Sequence, residues 1–445
     1  MNEIVINTPC GGMKGLEENG VRFFRGIPYA RCERFAEPET TRKWDGVLDA
    51  SKEGPDCPQY GTYRDEAKES GNFYYKEFRS ADFTPSYDEH SLTLDIVTPE
   101  DAEGLPMLVF IHGGGHETGT VGELPYGSTA QYAARGVVFA SVGYRLNVFS
   151  LYRSANYGLY DQLAALGWLK SNAAAFGGDP GRITVIGQSA GAMSITDLCY
   201  SRLSRGLFSG AVMMSGAGAI PRLFEPLTPE ASKDFWDKVM HAAGAADEEQ
   251  MKTLPAQTLW EAWYKQSREY KGMRHLQPGV DGEIIPDEPR RVLASHGELD
   301  IPYIVGITSQ DFMPPVVYEM ALGWAKARKK AGGKPVYGYF FDHTPPGNSF
   351  KAFHACDLWY AFGNMDKSWR PFGGEDRALA AQMMDYIANF AKTGDPNGAG
   401  LPQWPAMKDC GMRMKVFDTG AQRFAGPAQC RRRMLHTLLR DKGPM

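Results

Sequence analysis

The chain has 445 residues, 43% hydrophobic and 23% charged, which is ordinary globular composition and length enough to bury a large core. A net charge of −5 leaves no basic footprint, which argues against a nucleic-acid partner. No run of about 18 apolar residues occurs, so no membrane span is expected.

The opening residues, MNEIVINTPCGG, show neither the basic nor the apolar segment of a signal peptide, and a cytoplasmic location is the expectation. Thr62 to Asp88 is polar and aromatic without a clear period and reads as a long surface loop. Met107 to Ile111 (MLVFI) predicts a buried strand that ends in a glycine-rich turn, and Val137 to Val142 predicts another. Asp161 to Ala175 carries apolar residues at helical spacing. Arg182 to Ile186 (RITVI) predicts a strand, and a helical pattern follows at AMSITDLCYS. Ile301 to Val305 and Val336 to Phe341 are further strands. Leu379 to Lys392 reads as an amphipathic helix stopped at Gly394, with Pro396 beyond. Met414 to Phe417 is a last short strand, and Gln429 to Arg440 a basic closing helix. Strands alternating with helices predict an α/β architecture, a mostly parallel sheet covered on both faces. No repeat, low-complexity tract or long linker divides the chain, so residues 1–445 are read as one domain.

Cys10, Cys32, Cys57, Cys199, Cys356, Cys410 and Cys430 are odd in number, widely spaced and free of any C-x-x-C pair. They predict reduced thiols rather than a zinc site or a disulfide framework.

The chemistry starts at Gly187-Gln188-Ser189-Ala190-Gly191, between the RITVI strand and the following helix. A tight strand-to-helix turn lifts a serine side chain to its apex and needs small neighbours. The helix N-terminus behind it favours negative charge. His112-Gly113-Gly114-Gly115 also follows a strand, and glycines there let backbone N–H groups approach a ligand. The N–H groups of Gly114, Gly115 and Ala190 are the expected oxyanion donors for acyl transfer. A serine nucleophile needs a base, and in this chain order the histidine comes last. That leaves His343, His354 and His436. His436 lies in a basic helix, and His343 closes a strand before Thr344-Pro345-Pro346. His354, in FHACDLWYAFG after a loop, is the preferred candidate.

From about residue 11 to about residue 405 the chain resembles the type-B carboxylesterase family, which includes cholinesterases and bacterial para-nitrobenzyl esterases. Phe24 to Ala30 (FRGIPYA), Asn156 to Gln162 (NYGLYDQ) and Phe176 to Thr184 (FGGDPGRIT) are similar to family segments. So are Val280-Asp281-Gly282 and Thr393 to Asn397 (TGDPN). The segment His354 to Gly363 resembles the one that bears the family's catalytic histidine. The resemblance implies an α/β-hydrolase fold, a serine esterase acting through an acyl-enzyme on a small-molecule ester, and no metal or organic cofactor. It implies Ser189, His354 and Asp311 as the triad. Asp311, in Gly306-Ile307-Thr308-Ser309-Gln310-Asp311-Phe312, falls where the family usually carries a glutamate in G-x-N-x-D-E-G, and Glu319 is the fallback acid.

Several departures from the family pattern bear on the site. Gln188 replaces a glutamate beside the nucleophile and removes a negative charge. His116 stands where an aromatic residue is common, so both are read as pocket-lining candidates. Ser91 stands where eukaryotic members often have a cysteine, which fits a reduced Cys57. Asp311 and His354 lie only 43 positions apart, which implies a more open entrance. Ser215 reads either as a partner of the triad or as packing. Two rival readings are an esterase of the hormone-sensitive-lipase type, against which the GIPYA and FGGDPGR segments argue, and a non-catalytic esterase-like binding protein.

Overall fold

The computed structural model describes residues 1–60, 73–79, 86–218, 226–270 and 274–440. The N-terminal part is an antiparallel meander of β1 (Asn2–Thr8), β2 (Gly11–Glu18) and β3 (Val21–Pro28), with β4 (Val47–Asp49) paired to β2. It continues into β5 (Thr93–Pro99), β6 (Leu105–Ile111), β7 (Val138–Val142), β8 (Gly178–Gln188) and β9 (Gly210–Met214). The last strands are β10 (Tyr303–Thr308), β11 (Val336–Phe341), β12 (Met414–Phe417) and β13 (Arg423–Ala425). Among the described residues these form one thirteen-stranded sheet in the order β1-β2-β3-β5-β7-β6-β8-β9-β10-β11-β12-β13. The stretch from β7 to β12 is parallel throughout, and antiparallel strands flank it at both ends.

The central strands are near-continuous apolar runs because both of their faces are covered. Alternate side chains supply the two core layers: Met107, Val109 and Ile111 join one, Leu108 and Phe110 the other. The short helix α1 (Phe73–Phe78) contributes Phe78 to the second layer. The first layer is closed by α2 (Tyr157–Asn172), α3 (Ala190–Tyr200) and α4 (Pro314–Lys330). The second is closed by α5 (Leu358–Phe362) and α6 (Gly374–Thr393). Each large apolar side chain so buried contributes about 1.5–3 kcal/mol. The expected helix end at Gly394 is observed, with the glycine at φ 76°. The strand expected from Ile301 begins instead at Tyr303 and runs to Thr308, since Pro302 has no N–H for the ladder.

The reading of Thr62 to Asp88 as surface loop is corrected in its described part. Residues 61–72 and 80–85 lie outside the described residues, but α1 sits between them with Tyr75, Glu77 and Phe78 buried. Burial of a charged residue there is sustained by Arg370, whose Nε donates to Glu77 Oε1 at 2.8 Å, with both side chains fully buried. Trp359 Nε1 donates to the same oxygen at 2.7 Å and Trp369 Nε1 to Oε2 at 3.2 Å. A buried charge is tolerated when paired and hydrogen-bonded in this way. No helix among the described residues is long and apolar enough to cross a membrane.

Candidate active site

The predicted residues gather at the carboxyl ends of neighbouring parallel strands, where open α/β sheets bind their ligands. His112 to Gly115 follow β6, Ser189 follows β8, Ser215 follows β9, Asp311 follows β10 and His354 follows β11. Backbone bonds tie these ends together: Ser189 N to Met214 O at 2.8 Å, Ser215 N to Gly306 O at 2.7 Å, and Gln310 N to Ala352 O at 2.9 Å.

Ser189 has φ 55° and ψ −124°, an unfavourable backbone for a side chain with a Cβ. Such geometry costs about 1–3 kcal/mol and persists only where the surroundings impose it. Here α3 is drawn so close to β6 that a Cβ on Gly191 would lie 2.0 Å from Ile111 O, so only glycine fits. Ala190 is the first residue of α3, and its N–H therefore has no partner within the helix. The opposing turn is closed by the N–H groups of Glu117 and Thr118, both 3.0 Å from Gly114 O. Gly114 has φ 103°, and a Cβ there would meet Thr118 O at 2.0 Å. The buried His112 braces this turn: its ring stacks on Tyr144 with centroids 4.4 Å apart, and its Nδ1 lies 2.9 Å from Gly113 O. Burial depresses its pKa to about 4, so the ring is neutral.

Asp311 and His354 are directly linked, with Nδ1 to Oδ1 at 2.5 Å. The carboxylate is otherwise saturated. Oδ1 also accepts from Phe312 N at 2.7 Å, while Oδ2 accepts from Ser215 Oγ at 2.6 Å and Thr308 N at 3.0 Å. Ser215 is thus a direct partner of the acid. Burial lowers the pKa of His354, but the charge and hydrogen bond of Asp311, with a further push from Asp357, outweigh it and leave the pKa raised. Asp357, buried three residues beyond, accepts from Tyr339 Oη at 2.7 Å, and burial pushes its pKa up to about 7. Sequence reasoning missed Asp357 and Tyr339; the one available signal was an acidic residue so soon after His354.

The other ring nitrogen, His354 Nε2, lies 3.2 Å from Gln188 Nε2, which places the imidazole against the elbow. The side chain of His354 keeps 18% exposure, and the adjacent Phe312 is 50% exposed with its ring centroid 6.3 Å from the imidazole. His116 is buried, with Nε2 3.1 Å from Ser194 Oγ on α3. The remaining candidates sit elsewhere. His343 pairs with Asp376 at 2.7 Å, His436 is exposed, and Glu319 bonds Arg431 Nε at 2.7 Å on the surface. All seven cysteines are unbridged.

An elbow serine, an opposing glycine-rich turn and an imidazole–carboxylate pair at the strand ends are the marks of a serine hydrolase of the α/β-hydrolase fold. The chain matches the carboxylesterase family over residues 2–330 and 317–431 and belongs to it. It is a carboxylic-ester hydrolase, in agreement with the resemblance and against the hormone-sensitive-lipase-type alternative. It is 30% identical to a para-nitrobenzyl esterase of Bacillus subtilis, over 94% of this chain and 96% of that protein. It is 29% identical to a human cocaine esterase, over 87% of this chain and 82% of that protein. Among solved structures, a para-nitrobenzyl esterase superposes with a TM-score of 0.84 at 27% identity, covering 97% of this chain and 99% of the other. A carboxylesterase of Geobacillus stearothermophilus superposes with a TM-score of 0.79 at 28% identity, with the same coverage.

Proposed function

We propose that Ser189 is the nucleophile, His354 the general base and Asp311 the acid that orients it. His354 Nε2 takes the Ser189 hydroxyl proton as Oγ attacks the ester carbonyl. The carbonyl oxygen becomes an oxyanion held by the N–H groups of Gly114, Gly115 and Ala190. Collapse breaks the bond to the alcohol, which leaves with the proton from His354 and gives the acyl-enzyme. Water, deprotonated by the same nitrogen, then releases the acid and restores the serine. Asp311 accepts from Nδ1, so the lone pair of Nε2 faces the reaction and the imidazolium is stabilised.

The observation that carries this reading is the bond from His354 Nδ1 to Asp311, with the opposite nitrogen at the elbow. Hydrogen bonds between serine and base are often formed only in the substrate complex, so the contact of Nε2 with Gln188 is compatible with it. We read the protein as cytoplasmic, which the seven unbridged cysteines favour. Para-nitrobenzyl and para-nitrophenyl esters are the first substrates to try. Ser189→Ala should abolish hydrolysis of para-nitrophenyl acetate while the circular dichroism spectrum stays that of the native fold. Turnover by that variant at the wild-type rate would overturn the proposal.

A further inference from the structure

Gln188 is buried beside Ser189, and its amide reaches across the site. The Nε2 end meets His354 Nε2 at 3.2 Å. The Oε1 end packs on Gly113, where a Cβ would lie only 2.9 Å from it. In the neutral ring Asp311 takes the proton on Nδ1, so His354 Nε2 carries the lone pair and the amide N–H of Gln188 is the donor. That lone pair is the one Ser189 must use.

We propose that Gln188 is a positioning residue that caps His354 Nε2 in the free enzyme and yields it to the Ser189 hydroxyl when an ester occupies the site. The proposal rests on the triad reading given above. A glutamate at this position would accept a proton instead of donating one. Glutamine therefore favours the neutral form of the resting imidazole against the pull of Asp311 and keeps the ring correctly turned. It also tethers the ring to the turn that offers the oxyanion donors, since one side chain touches both. The bound ester brings Ser189 Oγ into use, and a neutral amide leaves at the cost of one ordinary hydrogen bond.

The test is a set of pH–rate profiles, since kcat/KM reports the free enzyme and kcat the substrate complex. Other groups that face the imidazole are Asp311, Asp357 and, behind them, Tyr339, Cys356 and Tyr74. Burial raises the pKa of that thiol and of both phenols, so they keep their protons across the assay range. An N–H donated to a neutral imidazole stabilises the neutral form. Removing it in Gln188→Met should therefore move the acid limb of kcat/KM to higher pH. Gln188→Glu should move it further, by about one pH unit or more, because an opposite charge then faces the imidazolium. In Gln188→Met the acid limb of kcat should stay at the wild-type position, because the cap has already yielded there.

Unmoved or lowered kcat/KM limbs would overturn the proposal, as would a kcat limb that shifts with kcat/KM in Gln188→Met. If the variants turn over too slowly to assay, the titration of the His354 ring is followed by NMR in Ser189→Ala, with and without Gln188→Met. The same upward shift is expected, and its absence refutes the cap. Failure of the triad reading is separate: it would show as activity in Ser189→Ala, whatever the limbs do.

Discussion

Asp311→Asn separates the shape of the acid from its chemistry. The carboxylate receives two donors on each oxygen: His354 and the Phe312 N–H on Oδ1, Ser215 and the Thr308 N–H on Oδ2. Asparagine keeps one acceptor oxygen and turns the other position into an NH2 group. If the NH2 takes the Oδ2 position, it strands the N–H of Thr308, which is fully buried. If it takes the Oδ1 position, the stranded donor is the only partly buried N–H of Phe312, a residue that is 50% exposed. A buried unmet donor costs about 1–3 kcal/mol, so the second arrangement wins. The NH2 then donates to His354 Nδ1 and forces the proton onto Nε2, the nitrogen that has to accept from Ser189. We predict a fall in kcat of about ten-thousandfold, equivalent to about 5.5 kcal/mol in the barrier. The acid limb should also move to lower pH, because Asp311 is among the causes that raise His354. Stopped-flow hydrolysis of para-nitrophenyl acetate from pH 5 to 9 measures both. A kcat within tenfold of wild type, with an unmoved limb, would refute the reasoning. Glu319→Gln, on the surface, should leave turnover unchanged.

Three further substitutions are informative. His354→Ala should lower kcat at least a few thousandfold, whereas His343→Ala, which removes the partner of Asp376, should cost less than about tenfold; the reverse order in steady-state assays would mean the base is His343. Glu77→Ala leaves Arg370 buried without its counter-charge and should destabilise the fold by about 3–5 kcal/mol in urea denaturation; a change below about 1 kcal/mol would show that the pair is not isolated from water.

The fold was legible because its central strands are buried on both faces and read as unbroken apolar runs such as MLVFI and RITVI. The elbow was legible because the strand, the turn and the helix are contiguous. His354 was only partly legible from spacing: its acid comes from a different strand end, and three histidines satisfied the chain order, so the preference for His354 became firm only with the resemblance. Ser215 remained undecided for the same reason, since its bond to Asp311 spans 96 positions and exists only once β9 and β10 are neighbours. Helix α1 is six residues long, too short to show a period, and its buried Glu77 is explained by an arginine 293 positions away. The contact of Gln188 with His354 spans 166 positions, and in the sequence the residue was read as a missing charge and a pocket-lining candidate, with no link to the imidazole.

The account stands on Ser189 as the nucleophile, and covalent capture tests that most directly. A para-nitrophenyl phosphonate should release one nitrophenol per chain and leave one adduct, which peptide mass spectrometry should map to Ser189. Ser189→Ala should take up none. An adduct on another serine, or equal labelling of the alanine variant, would contradict the account.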